Sequence, residues 1–339
     1  MKNIKLKLVL FIVLSFFTIQ SNAQDPIFTQ YSLVPETLNP GFTGFQYNWR
    51  AGLIHRRQWP DGNRVIDTDY GFINKMVGEN AALGMTVLND REAFTNYNFL
   101  QVNAVYAYKV DIDDEWSFRP GIEVGYGRKS YNFRNLLLED QINPNSGAIS
   151  NSSIDQGVLN QKDNINFVDF SAGFLIDNEK GWFGASMKHL NRPNISFLGN
   201  QNVPLDLFLT IHGGYAFDID GTPSSLFPEN TKLLVTANYM RQSQFNRLDI
   251  GSALKFDTFI IGATAALNPE KKSTNSHFLT SINPYTSVHF GNFTFGYSYD
   301  INISKIGHTQ GIHELSLTWQ LRFCETCVAK VNNYYDYSK

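Results

Sequence analysis

The sequence predicts an all-β fold: a transmembrane antiparallel β-barrel of about fourteen strands in the outer membrane. The first observation is a two-residue alternation in Asn292–Asp300 and Ile312–Phe323. One side of each stretch is aromatic or aliphatic apart from His313, and the other carries hydroxyls, amides and charges. Because successive side chains of a strand point to opposite faces, each stretch has one apolar face. That face is long and edged with aromatics, which is typical of a lipid-facing strand.

The second observation is that this alternation recurs along most of the chain. We place strands at 47–58, 65–75, 80–90, 96–110, 115–134, 165–178, 181–189, 205–218, 231–243, 246–256, 258–267, 277–290, 292–303 and 310–323. Predicted outward-facing residues include Leu100, Val102, Val168, Phe170, Leu205, Leu207, Phe259 and Ile261. An even number of strands is expected of a bacterial single-chain barrel.

The connections and the physics of sheet edges give the third observation. If the chain enters from the periplasm, the longest connections, 135–164 and 190–204, fall on the outer side, as in known barrels. An open sheet of this width would leave unpaired backbone groups in lipid, whereas a closed barrel has no edge. A soluble secreted β-sandwich or adhesin remains an alternative, and it predicts extraction without detergent.

Aromatic residues near the predicted strand ends suit the interfacial girdles of a membrane barrel. They are Trp49, Trp59, Tyr97, Trp116, Trp182, Tyr285 and Trp319.

Residues 1–23 are predicted to be a secretory signal peptide. Three lysines precede an apolar run at 8–19 that is too short to span a membrane, and Ser21–Ala23 fits a cleavage site. The alternative is an uncleaved N-terminal anchor. Removing these three lysines takes the formal charge from −3 to −6, which gives no basic footprint for nucleic acid.

Residues 24–44 precede the first strand and contain three prolines, which exclude a regular central strand or helix. The stretch is also too apolar for a solvated tail. We expect an ordered periplasmic segment that packs on the barrel or plugs it. The alternative is a leader that only caps the first strand.

The C-terminal tail, residues 324–339, follows the last predicted strand. Cys324 and Cys327 are the only cysteines, and in an oxidising periplasm they predict a small-loop disulfide. A free pair or a bond to a partner remains open. Tyr334 and Tyr335 make the tail a candidate partner-binding segment, with a disordered overhang as the alternative.

The sequence gives no catalytic, cofactor or metal motif. Gly121–Ser130 has the wrong glycine spacing for a phosphate loop, and Asp111–Glu115 lacks the pattern of a calcium loop. The histidines are scattered without ligand spacing, and no GxSxG occurs. We therefore predict a non-enzymatic protein without a cofactor.

Short blocks at both ends of the mature chain resemble the PorP/SprF family. These blocks are Asp25–Tyr31 (DPIFTQY), Leu38–Gly44 (LNPGFTG), Arg57–Trp59 (RQW), Gly296–Ile301 (GYSYDI) and Gly311–Leu317 (GIHELSL). The resemblance implies an outer-membrane protein associated with type IX secretion, which helps export or retain large surface proteins such as gliding adhesins.

That resemblance also implies partners: the type IX machinery, a secreted cargo protein and outer-membrane lipid. We expect the N-terminal segment and the C-terminal tail, both periplasmic, to contact the machinery or the cargo. The candidate partner-binding residues of the segment are Asp25, Pro26, Phe28, Gln30, Tyr31, Asn39, Pro40, Phe42 and Gly44. The rival hypothesis is a passive channel or hydrophobic-solute transporter, because that class also uses barrels of this size.

Overall fold

The computed structural model describes residues 24–45, 49–60, 65–131, 139–144, 146, 148–149, 161–199, 201–219, 228, 231–256, 258–270, 277–303 and 310–321. The strands are β1 (Trp49–Gln58), β2 (Ile66–Val77), β3 (Ala81–Glu92), β4 (Tyr97–Tyr108), β5 (Val110–Asp111), β6 (Ser117–Ser130), β7 (Asn164–Asp177), β8 (Gly181–Lys188), β9 (Phe208–Asp218), β10 (Lys232–Gln242), β11 (Phe245–Phe256), β12 (Phe259–Leu267), β13 (Leu279–Phe290), β14 (Phe293–Asn302) and β15 (Ile312–Leu321).

The strands form a closed antiparallel barrel. Each long strand pairs with the next along the chain, and β1 pairs with β15 from Trp49–Leu321 to Gln58–Ile312. β4 pairs directly with β6, so the two-residue β5 is only an extension on β6. Within the described residues the ring therefore has fourteen strands, which confirms the predicted fold class.

The strand register separates a lipid-facing surface from a lumen. Phe295, Leu317 and Leu53 are direct neighbours on β14, β15 and β1, and Phe295 remains 50% exposed. Three residues further along, Ser298, Glu314 and Arg56 form a row on the opposite face, where Glu314 is 0% exposed. The polar face of the barrel is therefore buried inside it, which requires the lumen to be filled.

The two ends of the barrel differ. One end, called here the long-connection end, carries residues 131–163 and 189–207 between strands. The other, the short-turn end, carries residues 78–80, 178–180 and 291–292, with 219–231 as its one long connection, and there β1 begins and β15 ends. This division agrees with the short and long connections predicted from the sequence.

Four predicted orientations are wrong. Leu205 precedes β9 and packs beside Phe99 and Phe167, so it does not face lipid. Tyr97 has the inward parity of Phe99 on β4 and packs against the same buried cluster. Trp182 and Tyr285 are buried in the lumenal core rather than placed in an outer girdle. Both occupy inward positions, since Phe183 on β8 and Val288 on β13 are the exposed ones. Parity along the strand outweighs proximity to its end.

In the part of the chain that is described, no helix is both long and apolar enough to cross a membrane. The largest buried apolar cluster lies inside the barrel and joins residues from before β1 with inward side chains of the strands. It contains Phe28, Leu33, Val34, Phe42, Phe45, Ile54, Tyr70, Phe72, Leu175, Trp182, Ala216, Leu234, Ala253, Ile260 and Tyr285.

Candidate functional site: the occupied lumen

The stretch before β1, residues 24–45, lies inside the barrel and is called here the lumenal segment. It folds as three single 3₁₀ turns, Gln30–Ser32, Pro35–Thr37 and Pro40–Phe42. Proline suits the first position of such a turn, because its φ is already fixed and its missing N–H has no partner to lose. The Asn39 side chain caps the third turn by accepting from Gly41 N–H at 2.8 Å. These local preferences therefore fold the segment into a compact series of turns.

The start of the segment is tied to the barrel at the long-connection end. Asp25 N–H donates to Gln242 Oε1 at 2.8 Å. The Asp25 carboxylate lies 2.8 Å from His189 Nε2, and His189 Nδ1 lies 2.8 Å from Asp169 Oδ2. His189 follows β8 directly and is 0% exposed. One imidazole thus bridges the segment to the wall.

The protonation of this bridge follows from its surroundings. Burial disfavours a charged imidazole, but the carboxylates of Asp25 and Asp169 outweigh burial and raise the pKa of His189 to about 9. Burial likewise opposes the Asp25 carboxylate, yet the His189 charge holds the pKa of Asp25 well below its usual range. At neutral pH His189 is therefore an imidazolium that lies between Asp25 and Asp169.

The middle of the segment is held by charged groups of β1, β14 and β15. Glu314 accepts the backbone N–H groups of Thr29 at 3.1 Å and Gln30 at 2.7 Å. Arg56 Nη1 donates to Asp300 Oδ2 and to Glu314 Oε2, both at 3.2 Å. Thr29 Oγ1 donates to the Asp300 carboxylate at 2.8 Å. Two buried carboxylates are therefore balanced by one guanidinium and by peptide donors.

Towards the short-turn end a second arginine clamps the segment. Arg50 Nη2 donates to Leu33 O at 2.6 Å, and its Nη1 pairs with Glu36 Oε1 at 2.5 Å. Asn74 Nδ2 donates to the same Glu36 oxygen at 3.0 Å, and Tyr70 donates its hydroxyl to Glu36 O at 3.1 Å. Here the strands recognise both the backbone and the one acidic side chain of the turn.

On β7 and β8 the barrel wall bonds the last turns of the segment. Asn39 Nδ2 donates to Phe174 O at 2.8 Å and to Ala185 O at 3.1 Å. Ser186 donates its hydroxyl to Leu38 O at 2.6 Å. Asn39 therefore has two roles, as a cap within the segment and as an anchor to the sheet.

Glycines make room where the backbone of the segment touches the wall. A Cβ added to Gly121 of β6 would lie 2.5 Å from the carbonyl carbon of Pro40. A Cβ on Gly41 would in turn lie 2.8 Å from Arg119 O. Gly44 has φ +68, which favours glycine, and a Cβ there would meet Ala82 at 2.3 Å. Glycines of both the barrel wall and the lumenal segment therefore allow the two backbones to approach closely.

The β10–β13 wall of the lumen is different. Asn238 and Asn283 are 0% exposed, and both side-chain polar atoms of each have no hydrogen-bond partner among the described residues. Asp249 Oδ2 and Ser287 Oγ share this condition on the same wall. The Tyr31 hydroxyl of the segment also has no such partner.

The match to a protein-family model decides what kind of protein carries this plugged barrel. Residues 20–319 match the model described as type IX secretion system membrane protein PorP/SprF, so the match includes the whole lumenal segment. The chain belongs to the PorP/SprF family. It is therefore an outer-membrane β-barrel component of type IX secretion. A comparison with curated proteins gave no significant match.

Solved structures similar to this PorP/SprF protein are outer-membrane barrels of distant sequence. A deletion mutant of the TodX monoaromatic hydrocarbon channel has 8% identity and a TM-score of 0.49, covering 81% of this chain and 90% of its own. A Pseudomonas aeruginosa FadL homologue has 10% identity, a TM-score of 0.43 and coverages of 84% and 93%. Acinetobacter baumannii Omp33 has 9% identity, a TM-score of 0.43 and coverages of 81% and 99%.

The candidate partner-binding residues of this PorP/SprF protein are unequally accessible. Asp25 and Pro26 are partly exposed at the long-connection end. The others of the segment are buried in the lumen: Phe28, Gln30, Tyr31, Asn39, Pro40, Phe42 and Gly44. Residues 1–23 and the tail, with Cys324, Cys327, Tyr334 and Tyr335, lie outside the described residues. A partner can reach the buried set only if the segment leaves the barrel.

The residues that hold the segment were not predicted as a site. The alternation of the strands puts Glu314 and Asp169 on the polar face, but nothing in the sequence marks Arg56 or His189 as contacts of the segment. The signal in the sequence is the combination of inward charges of both signs with a proline-containing, largely apolar stretch before the first strand. In the described part of the chain, no three His, Cys, Asp or Glu side chains are grouped to hold a metal.

Proposed function

We propose that this PorP/SprF protein is a non-enzymatic component of type IX secretion that assists export or surface attachment of a large cargo protein, such as a gliding adhesin, while its own barrel stays closed. The observation that carries the proposal is the occupied lumen. The charged groups that would line an open channel, Arg56, Asp300 and Glu314, instead bond one another and the lumenal segment.

The proposal includes an orientation. Short turns face the periplasm in outer-membrane barrels, and long connections face outward. With that orientation the tail after β15 is periplasmic and available to the secretion machinery. Asp25 and Pro26 then lie at the outer mouth, where a surface cargo would be met, and not in the periplasm as predicted from the sequence. This places the two candidate contact regions on opposite sides of the membrane.

Conductance of the purified protein tests the closed barrel. In planar bilayers we expect the wild-type protein to show no steady pore, and we expect a variant lacking residues 24–45 to conduct. Tyr126→Phe, on the lipid-facing side of β6, is the matched control and should behave as wild type. A steady wild-type pore would favour the passive channel or hydrophobic-solute transporter instead.

Cargo display in cells tests the role in secretion. The variant lacking residues 24–45 should still insert as a heat-modifiable barrel but should stop display of the cargo on the surface. Proteins that co-purify with the wild type in mild detergent should include secretion machinery or cargo. Normal display by the deleted variant would remove the proposed role of the lumenal segment.

A further inference from the structure

A polar cavity of about 30 Å³ lies inside the barrel, between the lumenal segment and the inner faces of β2, β3, β4, β6 and β8. A space of this size has room for a metal ion together with about one water molecule. The charged residues that line it are Asp25, Glu36, Glu123 and Lys188. Three carboxylates and one ammonium group therefore border the same space.

Two oxygen atoms of the cavity lining lack a partner. The Glu36 side chain is 4% exposed, and its Oε1 accepts from Arg50 and Asn74, but its Oε2 has no partner among the described residues. Asn103 is 7% exposed, and its Nδ2 donates to Thr86 Oγ1 at 3.0 Å, which leaves its Oδ1 equally without a described partner. A carboxylate oxygen and an amide oxygen can only accept, and leaving them buried and unpaired is costly. The cavity therefore calls for a cation or a hydrogen-bond donor.

The strand register brings the Asn103 oxygen to Glu123. Asn103 on β4 is directly opposite Gly125 on β6, and a Cβ added to Gly125 would lie 2.0 Å from Asn103 Oδ1. The amide oxygen therefore lies over β6, where Glu123 is the next inward residue. Glu123 points inward but is only half-buried, as expected of a side chain that borders a cavity. Oxygens from the segment, from β4 and from β6 thus converge on one space.

We propose that this cavity binds a Ca²⁺ ion that joins the lumenal segment to the barrel wall. The ligands are Glu36 Oε2, Asn103 Oδ1 and the Glu123 carboxylate, and the Thr86 hydroxyl, which also lines the cavity, and a water complete the shell. Ca²⁺ accepts such irregular sets of carboxylate and neutral oxygens, whereas Mg²⁺ retains several waters, more than this cavity holds. The ion would hold the turn Pro35–Thr37 against β4 and β6, while Arg50 holds it from β1. The proposal depends on the occupied lumen and not on the secretion role.

Metal content of the full chain tests the site directly. Protein purified in mild detergent with CaCl₂ and then passed over a chelating resin should retain about one Ca²⁺ per chain, measured by inductively coupled plasma mass spectrometry. Glu123→Gln should retain about tenfold less, as expected for the loss of one charged ligand. The matched control is Glu79→Gln, in the exposed turn after β2, which should retain calcium as wild type does. A wild-type protein without calcium, or unchanged retention by Glu123→Gln, would overturn the proposal.

The rate of protease cleavage within residues 24–45 tests the link between the ion and the segment. At constant ionic strength and with free Ca²⁺ ten times its Kd, cleavage should be about tenfold slower than in a chelator, because only the docked segment completes the site. Glu123→Gln should show no such protection. Equal protection by Na⁺ or Mg²⁺ would mean that the ions only screen charge, which contradicts a calcium site.

Asn103→Asp distinguishes a bound cation from a bound water. The substitution keeps the shape of the side chain and adds a third carboxylate to the ligands, so the protection by Ca²⁺ should increase about tenfold. If the cavity holds water only, Asn103→Asp will speed cleavage equally with calcium and with chelator, and the proposal fails. If Glu123→Gln does not insert, this variant and the calcium content of the wild type still decide.

Discussion

Two walls of the lumen both carry buried polar side chains but bind the lumenal segment very differently. On the β14–β15–β1 wall, Arg56, Asp300 and Glu314 bond to one another and to Thr29 and Gln30. On the β10–β13 wall, Asn238, Asn283 and Ser287 are just as buried, yet their side chains have no partner within the described residues. The segment is therefore held by the β14–β15–β1 wall and by contacts on β2, β7 and β8, whereas the β10–β13 wall contacts it through Gln242.

That asymmetry has an energetic consequence. A buried polar group that makes a hydrogen bond adds only modestly to the free energy of unfolding. A buried polar group that has lost its partner lowers that free energy by its full desolvation penalty. Substitutions on the β14–β15–β1 wall should therefore lower the free energy of unfolding strongly and should release the segment. Substitutions on the β10–β13 wall should change it little, because they remove polar atoms that make no hydrogen bond to the described residues.

The largest effect is expected from Arg56→Ala. It leaves Asp300 and Glu314 buried side by side without their guanidinium, which should cost about 3–5 kcal/mol. The free energy of unfolding in lipid vesicles measures this, and protease cleavage within residues 24–45 reports release of the segment. A loss comparable to that of Asn238→Leu would contradict the difference between the walls.

The second effect is the pH dependence of the Asp25–His189 pair. Because the pKa of His189 is raised from 6.5 to about 9, its contribution is complete below about pH 6.5 and is lost as pH rises through 9. The lowered pKa of Asp25 gives a contribution that is complete above its ordinary value of 3.8 and is lost as the pH falls below it, so it does not change over this alkaline interval. Between pH 6.5 and 10 we expect a loss of about 2–3 kcal/mol.

The control for this pH dependence is His189→Gln, which should remove the decline over that interval while starting from a lower stability. If the variant shows the same alkaline decline as the wild type, the decline belongs to other groups. Urea unfolding at matched ionic strength separates the two outcomes.

A smaller loss is expected from Asn39→Ala. The substitution removes the cap on Gly41 and the bonds to Phe174 O and Ala185 O, which should cost about 1–2 kcal/mol. The segment should stay in the lumen, because the arginine contacts persist. Unfolding measurements check the loss, and an unchanged protease pattern checks the retention. Full release of the segment would mean that this wall, and not β14–β15–β1, is the main anchor.

The smallest effect is expected from Asn238→Leu on the β10–β13 wall. Removing two unpartnered polar atoms at similar volume should change the free energy of unfolding by less than about 1 kcal/mol, and a gain is as compatible with the argument as a small loss. The same urea series measures it. A loss above about 2 kcal/mol would show that this amide is bonded after all.

Sequence alone was enough for the barrel because lipid imposes a local rule. Apolar residues must recur at every second position, so the strand pattern and the direction of Phe295 or Leu315 can be read without knowing any long-range contact. The same rule, applied strictly, also places Trp182 and Tyr285 inside. Their orientation was mispredicted only because proximity to a strand end was given more weight than parity.

The contents of the lumen were beyond the pattern. An inward Glu or Arg is required both by a water-filled pore and by a polar peptide, so Glu314 and Arg56 could not distinguish the two. The prolines of residues 24–44 excluded regular structure but carried no information on direction. The contacts of Asp25 with His189 and Gln242 join parts of the chain more than 160 residues apart, which no local pattern encodes.

Fourteen strands alone would return a chain to the side from which it came. The lumenal segment adds one more passage, from Asp25 at the long-connection end to Phe45, which precedes β1 at the short-turn end. The number of crossings becomes odd. Residue 24 and Leu321 therefore lie on opposite sides of the bilayer. A membrane-impermeant reagent added to intact cells should reach a tag at only one of these two positions.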